Sequence, residues 1–227
     1  MLFTVIYEDN HLLIVNKPAN LLVQGDATGD VSLVELCKEY VKKKYNKPGA
    51  VFMGLVHRID RPVSGVVALA RTSKALERMT ALFRERETKK TYWAIVRRKP
   101  AQESGTLIHW LLKDEKKNKT TFYIRETVGA LRSELSYRVL GEAAGYWLLE
   151  VNPITGRPHQ IRVQLASMGC PIVGDLKYGD IEATEDGSIC LHARRLAFVH
   201  PVKKELLTCE APPPGTRMWK HFSKFDH

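Results

Sequence analysis

The sequence predicts a single α+β domain over residues 1–227, with a mixed, mostly antiparallel central sheet flanked by helices. Two observations carry that prediction. Short β-branched and apolar runs come in pairs joined by turn residues, not in strict alternation with helices. Two segments instead show apolar residues at helical spacing behind a capping residue. No repeat, low-complexity tract or shift in composition marks a second domain.

Taken in order, Leu2 to Tyr7 and Leu12 to Val15 read as a hairpin around Glu8-Asp9-Asn10-His11, and Lys17-Pro18 ends its second strand. Ser32 with Glu35 forms a capping box for a helix carrying Leu33, Leu36, Cys37, Tyr40 and Val41 on one face, stopped by Asn46-Lys47-Pro48-Gly49. Lys42, Lys43 and Lys44 fall in its last turn, where cations suit the helix dipole. Val66 to Ala70 is a buried strand, and Thr72 or Ser73 caps a second helix with Leu76, Met79 and Phe83 inward. Lys90 to Val96 and Gly105 to Leu111 read as strands, Lys113 to Lys119 as a polar, basic loop that is either a contact for a nucleic-acid backbone or a plain exposed hairpin tip, and Leu131 to Leu140 with Tyr146 to Val151 as a strand pair. Pro158 suits the first turn of a helix with Ile161, Leu165 and Met168 buried and Gly169 at its C-terminal cap. Cys190 to Val199 and Glu205 to Glu210 add two strands, and Arg217 to Phe225 a short terminal helix.

Composition narrows the function classes. With 44% hydrophobic and 26% charged residues the chain is a soluble globular type, and no apolar run approaches a membrane span. The start lacks a basic region, an apolar stretch and a cleavage site, so the expected location is the cytoplasm. Lys and Arg number 35 against 25 Asp and Glu, a formal charge of +10 that points to a polyanionic partner. The 4 cysteines show neither a CxxC pair nor regular spacing, which argues for small core residues over a zinc site or a disulfide framework. The 8 histidines include no HExxH pattern, so no metal is expected. No GxSxG element or paired-carboxylate arrangement supports a serine nucleophile or a glycosidase.

Chemistry concentrates in His57-Arg58-Ile59-Asp60-Arg61-Pro62-Val63-Ser64-Gly65, an acid between two arginines ahead of an apolar strand. Burial raises a carboxyl pKa and a contacting arginine lowers it, so Asp60 is either a structural ion pair or a carboxylate kept charged for work as nucleophile or base. A second stretch, Thr155-Gly156-Arg157-Pro158-His159-Gln160-Ile161-Arg162, gathers Arg157, His159 and Gln160 at a helix N-terminus, which offers N–H groups and a positive dipole to an anion.

These two stretches resemble the HRLDxxTSG and TGRxHQIR signatures of the RluA-type pseudouridine synthases. Lys90-Thr91-Tyr92-Trp93-Ala94 is similar to their KxYxA strand, and Gly169 to Asp175 with Tyr178-Gly179 to their GxPIxGD and YG elements. Lys17-Pro18, Leu191-His192-Ala193 and His200-Pro201 extend the likeness over nearly the whole chain, in order. Val63 stands where the family usually has Thr, and Gln164 where it often has His. The resemblance implies the pseudouridine synthase catalytic fold in a short form without an upstream S4-type domain. It also implies isomerisation of selected uridines in rRNA or tRNA, with no cofactor, no metal and no obligatory protein partner. The Asp60-Arg61-Pro62 form of the motif resembles relatives acting on tRNA. By the same resemblance Asp60 is the catalytic carboxylate, Tyr92 packs on the flipped base, and Arg162 holds Asp60 as the anion, with Asp175 or Glu150 as its alternative partner. Arg58 fills the gap left in the RNA stack, at a few kcal/mol of unstacking, while Arg61, Arg157, His159 and Gln160 contact RNA. Two rival readings share these residues: a catalytically silent RNA-binding or assembly factor, and an RNase using His57 and His159 as base and acid.

Overall fold

The computed structural model describes residues 2–226. In chain order the strands and helices are β1 (Thr4–Glu8), β2 (Leu12–Lys17), α1 (Leu33–Lys44), β3 (Gly54–Leu55), β4 (Ser64–Ala70), α2 (Ser73–Arg84), β5 (Lys89–Val96) and β6 (Ser104–Asp114). They continue with β7 (Lys119–Tyr123), β8 (Leu131–Ala143), β9 (Tyr146–Pro153), α3 (Gln160–Ser167), β10 (Leu191–Val199), β11 (Leu206–Glu210) and α4 (Arg217–Lys220). The α+β class and the predominance of antiparallel pairing match the expectation. The chain divides into two compact units, Met1–Lys90 with Ala193–Pro213 and Thr91–His192 with Pro214–His227.

In the first unit the strand order is β1-β2-β4-β10, with β3 on β4 and β11 on β10. The opening hairpin is set by Asp9, whose Oδ1 accepts the N–H groups of His11 and Leu12, both at 2.8 Å. All residues of β4 are buried, so it reads as a continuous apolar run instead of an alternating one. Leu12, Ile14, Val66, Ala68 and Ala70 pack with Ala75 and Met79 of α2 and with Leu196 and Phe198 of β10. Both expected caps are present: Ser32 Oγ accepts from Glu35 N and Thr72 Oγ1 from Ala75 N. The β2–β4 register sets Lys17 opposite Gly65, which brings the end of one strand beside the start of the other.

The second unit is the antiparallel meander β5-β9-β8-β6-β7. Ala144 and Gly145 both take positive φ, 54° and 78°, at the two-residue turn between β8 and β9. Direct register partners share a face, so Tyr137, Val151 and Tyr92 lie together. Leu107, His109 and Leu111 of β6 lie on that same face through the pairing of Leu107 with Leu135. It is the face that α3 covers, through Val163 against Leu111 and Gln164 against His109.

Three local expectations need correction. Residue 158 does not open a helix: α3 starts at Gln160, because His159 is held in the left-handed region at φ 55° and forms a turn in which Gln160 N donates to Arg157 O. The segment 113–119, read as a loop, is strand at both ends, and residues 115–118 alone form a tight tip between β6 and β7. The terminal helix is broken into α4 and a 3₁₀ turn, Ser223–Phe225, because Trp219 and Phe222 both turn inward and Phe222 N bonds Trp219 O, a 3₁₀ spacing.

Candidate active site

In the first unit the Asp60 loop runs from β3 to β4 and is fastened at four points. Ile59 and Val63 are buried on either side of the acid, Val63 N donates to Asp60 O at 3.1 Å, and Asp60 itself is only partly buried. Upstream, His57 Nε2 accepts the Ala68 N–H at 3.0 Å, and its ring stacks on Phe83 with centroids 4.7 Å apart. Burial, with Lys90 nearby, pushes the His57 pKa down to about 3, so the imidazole is neutral and serves as an acceptor. A ring this reluctant to take up a proton, with Nε2 already accepting from Ala68, is a poor general base, which counts against the RNase reading that gives His57 that role. Downstream, Gly65 has φ 118°, and a Cβ there would clash with the backbone of Ala193, including its N at 2.6 Å. Only glycine lets β4 and β10 approach so closely.

The fourth fastening is one the sequence did not announce. Lys17 is fully buried, and its ammonium donates to Leu21 O at 2.8 Å, Pro18 O at 2.9 Å and Arg61 O at 3.2 Å. Its three donors are thereby used, one of them on the residue next to the acid. Desolvation drives the Lys17 pKa down to about 7, while the negative charge of Asp60 pulls it up and Arg61 lowers it. The lysine at the end of a buried strand was the available signal, since a lysine is almost never fully buried without partners. Arg61 is turned to its own unit: its Nη2 pairs with Asp30 at 2.8 Å and its Nε donates to Asn20 O at 3.2 Å. Arg58 is exposed.

In the second unit Tyr92 sits on β5 opposite Val151, partly buried, while its neighbour Thr91 donates to Asn152 Oδ1 on the other face. The turn into α3 is knotted by Gln160. Its Oε1 accepts from Arg157 N at 2.9 Å and from Thr155 Oγ1 at 2.8 Å, and its Nε2 donates to Glu134 O at 3.0 Å. Gln160 is therefore buried and committed to the loop, while Arg157, half-buried, reaches the Arg132 carbonyl at 3.4 Å. Every residue of α3 from Gln160 to Leu165 is buried, which carries the Arg162 guanidinium inside. Asp175 receives it in a fork: Arg162 Nε to Oδ2 at 2.7 Å and Nη2 to Oδ1 at 2.8 Å. This is one of the two alternative partners named from sequence. The other, Glu150, pairs with Arg138. His159 Nδ1 lies 2.7 Å from the Tyr178 hydroxyl. Asp175 and Tyr178 belong to motifs read from sequence, but spacing alone did not connect them to Arg162.

Comparison with known proteins adds the identity of the pattern. The family described as RNA pseudouridylate synthase matches residues 11–167. Ribosomal large subunit pseudouridine synthase C of Vibrio cholerae is 36% identical over 214 residues, covering 92% of this chain and 65% of that protein. The Synechocystis protein named uncharacterized RNA pseudouridine synthase slr1629 is 31% identical over 224 residues, with 97% and 67% covered. The chain thus spans about two thirds of the length of these curated relatives. Among solved structures, human RNA pseudouridylate synthase domain containing 4 superposes with a TM-score of 0.78 at 26% identity, over 96% of this chain and 90% of that one.

Proposed function

Because the chain belongs to the RNA pseudouridylate synthase family, as the match over residues 11–167 shows, we propose that it isomerises uridine in RNA to pseudouridine with Asp60 as the catalytic carboxylate. The observation that carries this reading is the matched region itself, which contains the Asp60 loop, Tyr92 and Arg162 together. The reaction breaks the N1–C1′ glycosidic bond, turns the uracil and joins its C5 to C1′. N1 takes up a proton and C5 gives one up, so no electrons are exchanged and no redox partner is needed. Attack on the ring, attack on the sugar and removal of a sugar proton all require an ionised carboxylate.

Tyr92 is assigned to the face of the extruded base and Arg162 to the charge of the carboxylate. Arg58 is assigned to the gap left in the RNA stack, and Arg61, Arg157 and His159 to the RNA backbone; Gln160 acts through Arg157, whose N–H it holds. The relatives named for the ribosomal large subunit favour large-subunit rRNA as the substrate class over tRNA. A cytoplasmic location agrees with four buried free cysteines and, among the described residues, no helix long and apolar enough to cross a membrane. Residues 1–227 are proposed to act as one catalytic domain.

The test is tritium release from RNA labelled at uridine C5. Wild-type protein is expected to release tritium from large-subunit rRNA, and Asp60→Asn to abolish release while still retarding RNA on a gel. Undiminished turnover by Asp60→Asn would remove the assignment, and wild-type protein that binds RNA without releasing tritium would favour a silent binding factor.

A further inference from the structure

The β6–β7 hairpin ends in a tip, residues 114–119, with exposed Lys116, Lys117 and Lys119, and Lys177 lies beside it, its Nζ donating to Asn118 O at 3.0 Å. An isolated two-stranded tip is marginal in water, yet this one is tied down at its base. The Thr120 N–H donates to the Tyr178 hydroxyl at 2.8 Å, and Thr120 Oγ1 donates to Pro158 O at 3.0 Å. With Thr120 already donating to it, the Tyr178 hydroxyl has its own proton to place. His159 Nδ1, 2.7 Å away, can accept it in the tautomer that carries its proton on Nε2. The Tyr178 ring lies under the Arg162 guanidinium, 5.0 Å from centroid to Cζ, and the Lys119 ammonium is 5.9 Å from the same ring. The 3₁₀ turn carrying Tyr178 begins next to Asp175, which holds both forks of Arg162.

One buried side chain therefore touches the hairpin backbone, the His159 turn and the guanidinium. We infer that Tyr178 is a positioning residue that couples the seating of an RNA backbone on the lysine tip to the placement of Arg162. The inference rests on the proposed role of Arg162 in the reaction. Phosphates on Lys116 and Lys117 supply binding energy that is independent of sequence. A rigid path from Thr120 through the phenol turns part of that energy into orientation of the reacting groups, which raises turnover as well as affinity. Burial pushes the Tyr178 pKa up, so the phenol keeps its proton and both bonds persist at neutral pH.

Tyr178→Phe deletes both hydroxyl bonds and leaves the ring beneath Arg162. In single-turnover and steady-state tritium-release assays it is expected to lower kcat about tenfold and to change KM less than about twofold. Lys116→Ala/Lys117→Ala is expected to raise KM and lower kcat in the wild-type background, but only to raise KM in the Tyr178→Phe background. Such non-additivity is the signature of coupling, and a merely structural role does not produce it. A Tyr178→Phe enzyme with wild-type kcat, or tip and phenol effects on kcat that simply multiply, would overturn the inference. Hydrogen exchange at the Thr120 amide of the wild-type protein gives a second reading that needs no variant: RNA is expected to slow it, and an unchanged rate counts against coupling. If Asp60→Asn is inactive while Tyr178→Phe behaves as wild type, only the coupling fails. If Asp60→Asn turns over normally, the catalytic reading itself fails.

Discussion

Arg162 and Asp175 face each other fork to fork at 2.7 and 2.8 Å, the arginine 6% and the aspartate 1% exposed. Asp175 sits on a turn that begins at Gly174, whose φ is 86° and whose Cβ, if it had one, would lie 2.6 Å from Ser188 O. The backbone there is thus shaped to present the acid to the helix.

Breaking such a pair from one side takes the forked carboxylate away from a buried guanidinium. Asp175→Asn is expected to destabilise the protein by about 3–5 kcal/mol, read by urea unfolding, because Arg162 cannot leave the interior with its helix. Replacing both partners by Met and Leu is expected to recover part of the stability while leaving tritium release abolished. That split would separate the structural use of Arg162 from its proposed use in the reaction.

His57 gives a pH dependence with a definite sign. Its folded pKa is depressed, chiefly by burial, to about 3, whereas in the unfolded chain it titrates near its ordinary value of 6.5. Below about pH 6.5 the unfolded chain takes up a proton that the folded one refuses, so stability falls as pH drops from about 6.5 toward 3. Equilibrium urea unfolding at pH 7.0 and 5.0 is expected to show that loss, and His57→Gln, which does not titrate and can still accept from Ala68 N, is expected to reduce it. An unchanged pH slope in His57→Gln would mean that another group carries it.

Lys17 is the third test. Lys17→Met keeps the volume but strips the donors from the carbonyls of Pro18, Leu21 and Arg61. Each carbonyl left dry is expected to cost about 1–3 kcal/mol, less whatever water can enter. Because Arg61 O adjoins Asp60, kcat is expected to fall by more than the folded fraction does; circular dichroism and tritium release on the same sample check this.

Much of this was legible in local pattern. The caps at Ser32 and Thr72, the Asp9 hairpin and the buried run Val66 to Ala70 follow from side chains acting on their own neighbours, and they stand where sequence placed them. Pro158 misled because its preference for a first helical turn is weaker than the bonds around it, in which Gln160 and His159 bend the chain into a left-handed turn first. The terminal helix misled because burying Trp219 and Phe222 prevailed over continuing a marginal helix.

By itself the sequence determined the α+β class, the basic character and, through its ordered motifs, the family and the acid at position 60. Those are properties of residue type and spacing. Tertiary structure alone decided that Lys17 is buried against the Asp60 loop, that His57 is neutral, that Gln160 knots a turn, and that Tyr178 joins a lysine hairpin to Arg162. Each of those depends on desolvation and on partners far along the chain, and neither can be read until the strands have paired.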